Sequence, residues 1–232
     1  MRIDVITLFP EMIENTLEAS VIGRAVSSGI IELNTVNLRD FAADKHRSVD
    51  DTPIGGGPGM LLKPDIIKSA VNSLLTDDAH VVMLTPQGHS YDQNIAAKLA
   101  VKKHLILLCG HYEGVDERVR QTLIDEEISV GDYVLTNGSI AAPVVIDAAV
   151  RLIPGVLGSE DSAATDSFSG NSSLLEYPQY TKPAALEARR APHILSSGNH
   201  KNIKVWQKKQ SYIRTLARRP DLIDTNVREK EK

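Results

Sequence analysis

The chain holds one cysteine, Cys109, in 232 residues. That excludes an intrachain disulfide framework, argues against a cysteine-ligated zinc cluster and suits a reducing cytoplasm. Aromatic residues make up only 4% of the chain while 42% is hydrophobic, so the core must be aliphatic. No apolar run approaches the roughly 18–20 residues of a membrane span. The N-terminus, Met1-Arg2-Ile3-Asp4-Val5-Ile6, carries an acid inside its first apolar stretch and lacks the layout of a signal peptide. Two common nucleotide-binding patterns are missing as well. Gly55-Gly56-Gly57-Pro58-Gly59 is not followed by the Gly-Lys-Ser/Thr of a phosphate-binding loop, and no G-x-G-x-x-G follows the first apolar run. The glycine-rich loop reads equally well as an anion-binding nest or a structural tight turn.

Acidic residues are scarce in one region only. Net charge is −4, yet Lys182–Arg219 holds ten of the 26 basic residues and one of the 30 acidic ones, Glu187. An acidic body with a basic carboxyl-terminal part suggests two modules, one of them facing a polyanion.

What is present is a series of short apolar runs ended by glycine or proline. Val81–Leu84 precedes Thr85-Pro86-Gln87-Gly88, and Leu105–Leu108 precedes Cys109-Gly110-His111-Tyr112-Glu113-Gly114. Such runs read as buried parallel strands. In an open α/β sheet the loops at the carboxyl ends of the strands form the ligand site. Glycines there let main-chain groups approach a ligand closely. A third turn, Gly131-Asp132-Tyr133-Val134-Leu135-Thr136-Asn137-Gly138, closes this small-molecule site.

The spacing predicts strands over Arg2–Leu8, Ile31–Asn37, Val81–Leu84 and Leu105–Leu108. It predicts helices from Pro10, over Pro64–Leu75, Tyr91–Val101, Asp116–Leu123 and Pro143–Ile153, with Asp44–Met60 as a loop. The alternation gives an α/β fold with a mostly parallel sheet. Gly155–Ser173 has six serines and three glycines, a linker composition. The chain therefore divides into an α/β domain over 1–158 that carries the small-molecule site, a flexible linker over 159–172 and a small helical domain over 173–232. In Asn199–Arg219, Ile203, Trp206, Ile213 and Leu216 share one arc of a helix, and Lys201, Lys204, Lys208, Arg214, Arg218 and Arg219 share the rest. Read alone, Cys109 is a core residue at a strand end. Glu113, Asp116, Glu117, Asp125, Glu126 and Glu127 read as helix starts and surface charge, with one or two facing the site.

Taken together, these stretches closely resemble the bacterial tRNA (guanine-N1)-methyltransferases of the SPOUT class. The matching segments are Asp4–Pro10, Gly55–Met60, Thr85–Gly88, Cys109–Arg118, Gly131–Thr136, Ile153–Gly158, Asp166-Ser167-Phe168, Tyr177–Pro183 and Ser211–Pro220. The resemblance implies a trefoil knot at the cofactor loops and a homodimer with a shared active site. It implies S-adenosylmethionine held by Thr85, Pro86, Gln87, Gly110, Tyr112, Glu113, Gly114, Val130, Gly131, Asp132, Tyr133, Val134, Leu135, Gly138 and Pro143. By motif match, Asp166 is the general base and Arg151 stabilises charge on the guanine oxygen. Without the family, Asp166 is one acid in a linker and Arg151 a favourable charge at a helix end. The tRNA would lie against Gly56, Gly57, Lys201, Lys204, Lys208 and Arg214. Mg²⁺ is implied by the family alone, with no ligand set evident. Three positions depart from the family pattern. Asn137-Gly138-Ser139 replaces Gly-Gly-Glu, and His111 replaces the usual Arg. Two rivals are an RNA-binding protein that kept the fold without catalysis and a ribose 2′-O-methyltransferase. Intact Asp166, Arg151 and cofactor turns argue against the first, and the Asp166-Ser167-Phe168 segment with the basic tail against the second.

Overall fold

The computed structural model describes residues 1–158, 165–169 and 174–223. Most of the expected linker, 159–164 and 170–172, lies outside the described residues. The chain divides at Gly158 into two compact units.

The first unit runs β1 (Arg2–Thr7), α1 (Pro10–Leu17), α2 (Ser20–Ser27), β2 (Glu32–Asn37), β3 (Asp50–Asp51), β4 (Leu61–Leu62), α3 (Pro64–Leu74), β5 (Ala79–Ser90), α4 (Gln93–Ala100), β6 (His104–Cys109), α5 (Glu117–Leu123), β7 (Glu126–Ser129) and α6 (Ala141–Val150). Five strands form one sheet in the order β2-β1-β6-β5-β7, and every pairing is parallel. β3 and β4 form a separate two-stranded ladder bracketing the glycine-rich loop.

Strand alternation builds two cores. Ile3, Val5, Val82, Leu84, Leu105, Leu107 and Cys109 face one side, against Ile13 of α1, Ile22 of α2, Leu99 of α4 and Val145 and Ile146 of α6. Ile6, Val81, Met83, Ile106 and Leu108 face the other, against Ile66, Ile67 and Val71 of α3 and Val119 of α5. Both faces are covered, which is why β6 is buried at all six positions. The amino-terminal end of the sheet is polar. Asp4 and His104 are both buried, with His104 Nε2 2.7 Å from Asp4 Oδ2 and His104 Nδ1 2.8 Å from Thr76 Oγ1. Asn34 Nδ2 donates to the other Asp4 oxygen at 3.0 Å, and Arg2 Nε lies 2.9 Å from the carboxylate.

Several boundaries differ from the expectations. β5 does not end at Leu84. Leu84 and His89 both pair with Ile128, so Thr85-Pro86-Gln87-Gly88 is a four-residue excursion inside one long strand. Pro86 cannot donate to a ladder, which favours this break. β7 was not anticipated, because Glu126 and Glu127 mask a four-residue edge strand. Neither was α2, a helix of only eight residues. α6 starts two residues before Pro143, which occupies its first turn, where a missing N–H costs no helical bond.

The second unit contains β8 (Ala185–Leu186), β9 (Arg189–Arg190) and α7 (His200–Arg218). Beside the expected helix stands a small antiparallel hairpin of β8 and β9, whose turn residue Glu187 sits at φ 53°. Two-residue strands are too short to leave an alternating pattern. α7 is capped by Asn199, whose side chain accepts from Asn202 N at 3.1 Å.

The packed face of α7 is rotated from the expected arc. Thr215 is fully buried, Ile203, Trp206 and Arg214 are half-buried, and Ile213 and Leu216 are exposed. Main-chain hydrogen bonding sets this orientation. Leu175 N donates to Thr215 Oγ1 at 2.9 Å and Ser211 Oγ donates to Leu175 O at 2.5 Å, so two hydroxyls bind the helix to the preceding segment.

Candidate functional site

Each loop of the site leaves the carboxyl end of a parallel strand. The β5 excursion, the turn after β6 and the segment after β7 meet at one sheet edge and enclose a cavity of about 290 Å³. Thr85, Pro86 and Gln87 line it from the first; Gly110, Tyr112, Glu113 and Gly114 from the second; Val130, Gly131, Tyr133, Val134, Leu135 and Gly138 from the third. Two expected members are placed elsewhere. Asp132 points to solvent from the surface of the turn, and Pro143 is buried within α6. The floor comes from Met83, Leu84 and Ile128, the last apolar residues of β5 and β7.

Close backbone approach explains two glycines. A Cβ on Gly88 would lie 2.4 Å from Ile128 N, so only glycine lets the excursion return against β7. A Cβ on Gly138 would lie 2.8 Å from Cys109 Cα and 2.9 Å from Gly110 N. Gly138 N donates to Gly110 O at 2.8 Å, which fastens the third loop to the end of β6. Gly110 differs. A Cβ there would meet only Leu84 O at 3.7 Å, so its open side belongs to the cavity. Gly110 therefore leaves room for a ligand beside an uncovered main chain.

Side chains hold this frame. Arg120 donates from Nε to Glu127 Oε1 at 3.0 Å, from Nη2 to Glu127 Oε2 and from Nη1 to Gln87 Oε1. Its hydrogen bonds to Glu127, together with the nearby carboxylate charge, raise its pKa further and keep it cationic. Arg120 and Glu127 thus tie α5, β7 and the β5 excursion together at the cavity wall. Glu127 is among the acids of which the sequence places one or two at the site; Arg120 is not marked there, because a pair seven residues apart has no local signature. Ser129 Oγ donates to Gly131 O at 2.9 Å, and Tyr133 Oη donates to Val130 O at 3.1 Å.

Two of the departures from the family pattern, Ser139 and His111, have local explanations. Ser139 is buried and outside the cavity lining, with its Oγ 2.6 Å from Thr7 Oγ1, whose oxygen also accepts from Phe9 N. A small hydroxyl fits between the ends of β1 and β6. His111 lines the cavity, edge-on to Phe9 and Tyr112, and its Nδ1 is buried without a protein partner. Burial holds its pKa below the ordinary imidazole value, with Asp50 opposing that shift and Arg39 reinforcing it. Cys109 is buried, and burial pushes its thiol up to about 12, so it is a core residue.

Among the remaining candidates of the first unit, Gly56, Gly57 and Arg151 do not line the cavity. Gly56 and Gly57 are exposed on the loop between β3 and β4, while Gly59 of that loop abuts Glu113 and Met60 O accepts from Glu113 N. Arg151 is the half-buried C-cap of α6, its N–H donating to Asp147 O at 3.1 Å. Asp166 belongs to the second unit. Its carbonyl accepts from Ser169 N and Oγ, while Glu176 N donates to the neighbouring Ser167 Oγ, so the short segment 165–169 is hydrogen-bonded in place. Lys201, Lys204 and Lys208 are exposed on α7, and Arg214 is half-buried on its packed side. Among the described residues, no group of three or more His, Cys, Asp or Glu is arranged to hold a metal ion. No described helix is long and apolar enough to cross a membrane.

Three proteins named tRNA (guanine-N(1)-)-methyltransferase are similar over nearly the full chain. One from Carboxydothermus hydrogenoformans is 51% identical over 231 residues, covering 100% of this chain and 90% of the relative. One from Dictyoglomus turgidum is 50% identical over 224 residues, covering 97% and 90%. One from Dehalococcoides mccartyi is 52% identical over 227 residues, covering 97% and 91%. The family described as tRNA (Guanine-1)-methyltransferase TrmD matches residues 1–225, and with half of all positions shared across whole chains, this protein belongs to that family.

Proposed function

We propose that the chain transfers a methyl group from S-adenosylmethionine to N1 of the guanine immediately 3′ of the anticodon in tRNA. The observation that carries this reading is the glycine-lined cavity at the carboxyl edge of the sheet, within a chain of this family. Its lining suits the cofactor. Gly110 presents open main chain and Gly114 has no atom within 4 Å of a built Cβ, so backbone groups are free to bind a purine edge. Met83, Leu84 and Ile128 offer an apolar floor.

S-adenosylmethionine, when bound, supplies a methyl carbon activated by the positive sulfonium. Guanine N1 carries a proton at neutral pH and is a poor nucleophile until that proton leaves. Asp166 takes the proton as general base. Negative charge then develops on O6, and the Arg151 guanidinium stabilises it. With S-adenosylmethionine held at the cavity, the freed N1 lone pair would take the methyl carbon and the sulfur would leave as a neutral thioether. Arg120, fixed by Glu127, holds Gln87 and so keeps the cavity wall in place.

The active unit on this reading is a homodimer, with Arg151 and Asp166 completing a site across subunits. Val134, Ile140 and Val144 support it: all three are exposed, on α6 or the loop leading into it, and apolar surface there suits a second copy. We read the return of Gly138 to Gly110, from a chain that has just left β7 on the far side of β5, as the trefoil knot. The first unit binds cofactor, the second binds tRNA, and the cytoplasm is the site of action. Mg²⁺ remains an implication of the family.

Incubation of the protein with unmodified tRNA and labelled S-adenosylmethionine, followed by mapping of the modified nucleotide, tests the reading. One methyl group on N1 of that guanine is expected. A methyl group on a ribose, or none, overturns it.

A further inference from the structure

The outward face of α7 carries apolar residues where an exposed basic helix would be expected to be polar. Val205 is 62% exposed, Tyr212 49% and Leu216 53%. At about 100° per residue these three fall within about 40° of one another, a single stripe along the helix. Lys201 and Lys208 flank it on one side and Lys209 on the other, all exposed. Lys208 and Lys209 precede Tyr212 by four and three residues, the spacings at which residues are neighbours on a helix surface. No Asp or Glu occurs from Lys201 to Arg219. Thr215 and Ser211, about 80° and 120° around the helix from the stripe's centre, are already bonded to the preceding segment.

We propose that this face is a stacking platform for an unpaired nucleotide of an RNA loop. The base lies on Tyr212 between Val205 and Leu216, and the flanking phosphates meet Lys201, Lys208 and Lys209. This rests on the reading of the chain as a tRNA-modifying enzyme and adds what its second unit recognises. Charge complementarity selects the occupant. An apolar protein surface would strip water from three lysines and return no counter-charge. A paired RNA helix would satisfy the lysines but keep its bases stacked inside, leaving the apolar stripe in water. Only unpaired nucleotides offer a flat apolar face and phosphates together.

The test is Tyr212→Leu in the full chain, which keeps the exposed position, the helix and every lysine. Tyr212→Phe serves as the control that keeps the ring. Binding is measured to unmodified tRNA and to a fully paired RNA duplex of similar length. Y212L should weaken tRNA binding by about 5-fold to about 100-fold, the range for one base–aromatic stack, with an unchanged salt slope. Duplex binding should not change, and Y212F should match the parent. Parent-like tRNA affinity for Y212L overturns the proposal, and so does an equal loss on the duplex. A change in subunit association with unchanged tRNA affinity overturns it in favour of a second copy. Because binding is read directly, these outcomes are separate from methyl transfer by the parent, which tests the functional reading.

Discussion

Gly110 and Gly138 are one hydrogen bond apart and have opposite reasons to be glycine. Gly110 faces open cavity, whereas Gly138 faces the backbone of Cys109 and Gly110. Gly110→Ala should therefore leave stability within about 0.5 kcal/mol, as for a tolerated small substitution, while Gly110→Val should fold and weaken S-adenosylmethionine binding. Gly138→Ala should cost about 1–3 kcal/mol, because backbone must move to admit its Cβ. Denaturant melts and calorimetry on the variants separate the two effects. Equal stability losses for both alanine variants, or parent-like cofactor affinity for a folded Gly110→Val protein, would contradict this division. Asp166 belongs to chemistry on the proposed reading, so Asp166→Ala should retain cofactor affinity and lose methyl transfer by at least on the order of 10²-fold. Single-turnover transfer at the parent rate would remove it from the mechanism. The glycines were legible in the sequence as a class, from their place after apolar runs. What each one does was not, since the atoms it faces come from other segments of the chain.

Elements were legible where one pattern ran unbroken. β6 reads as a strand because all six positions are buried and apolar or nearly so. α4 and α7 read as helices from periodicity, and their caps, Asp92 and Asn199, accept the expected backbone N–H groups. β7 failed to read because an edge strand with two acids resembles a helix start. The face of α7 failed because Ile213 and Leu216 carry the hydrophobic signal while Thr215 and Ser211 carry the contacts. The cations are insensitive to that rotation: Lys201, Lys204 and Lys208 are exposed either way. Replacing all three with Ala should weaken tRNA binding and make the slope of log affinity against log salt shallower by roughly two to three units, if each meets one phosphate. Cofactor affinity should stay at the parent value. An unchanged affinity and salt slope in a filter-binding titration would mark the lysines as an ordinary solvated face.

At the scale of the molecule, the sheet order decides where chemistry can occur. β6, β5 and β7 are neighbours with parallel sense, so their three exits converge at one edge, and the polar Asp4–His104 cluster lies at the other end of the sheet. Val134 of the cavity lining is 84% exposed and Val144 of α6 53%. If a second copy covers them, Val144→Asp should shift the protein toward monomer in sedimentation velocity and lower methyl transfer in parallel. A monomeric parent, or a Val144→Asp dimer indistinguishable from it, would remove the shared-site reading.

The sequence by itself determined the class of fold, the edge of the sheet that holds the cavity and the separation of an acidic body from a basic tail. Each follows from local order: apolar runs, the residues that end them and the distribution of charge. Only the tertiary structure decided which partners meet. Arg120 with Glu127 and Gln87, Ser139 with Thr7, and Thr215 with Leu175 are joined across 7, 33, 132 and 40 residues, and hydrogen bonds of that reach leave no mark on any local pattern. The rotation of α7 follows from the same cause. Thr215 and Ser211 bond the main chain of Leu175, and backbone groups beside a packed helix must be bonded, a demand that no hydrophobic pattern records.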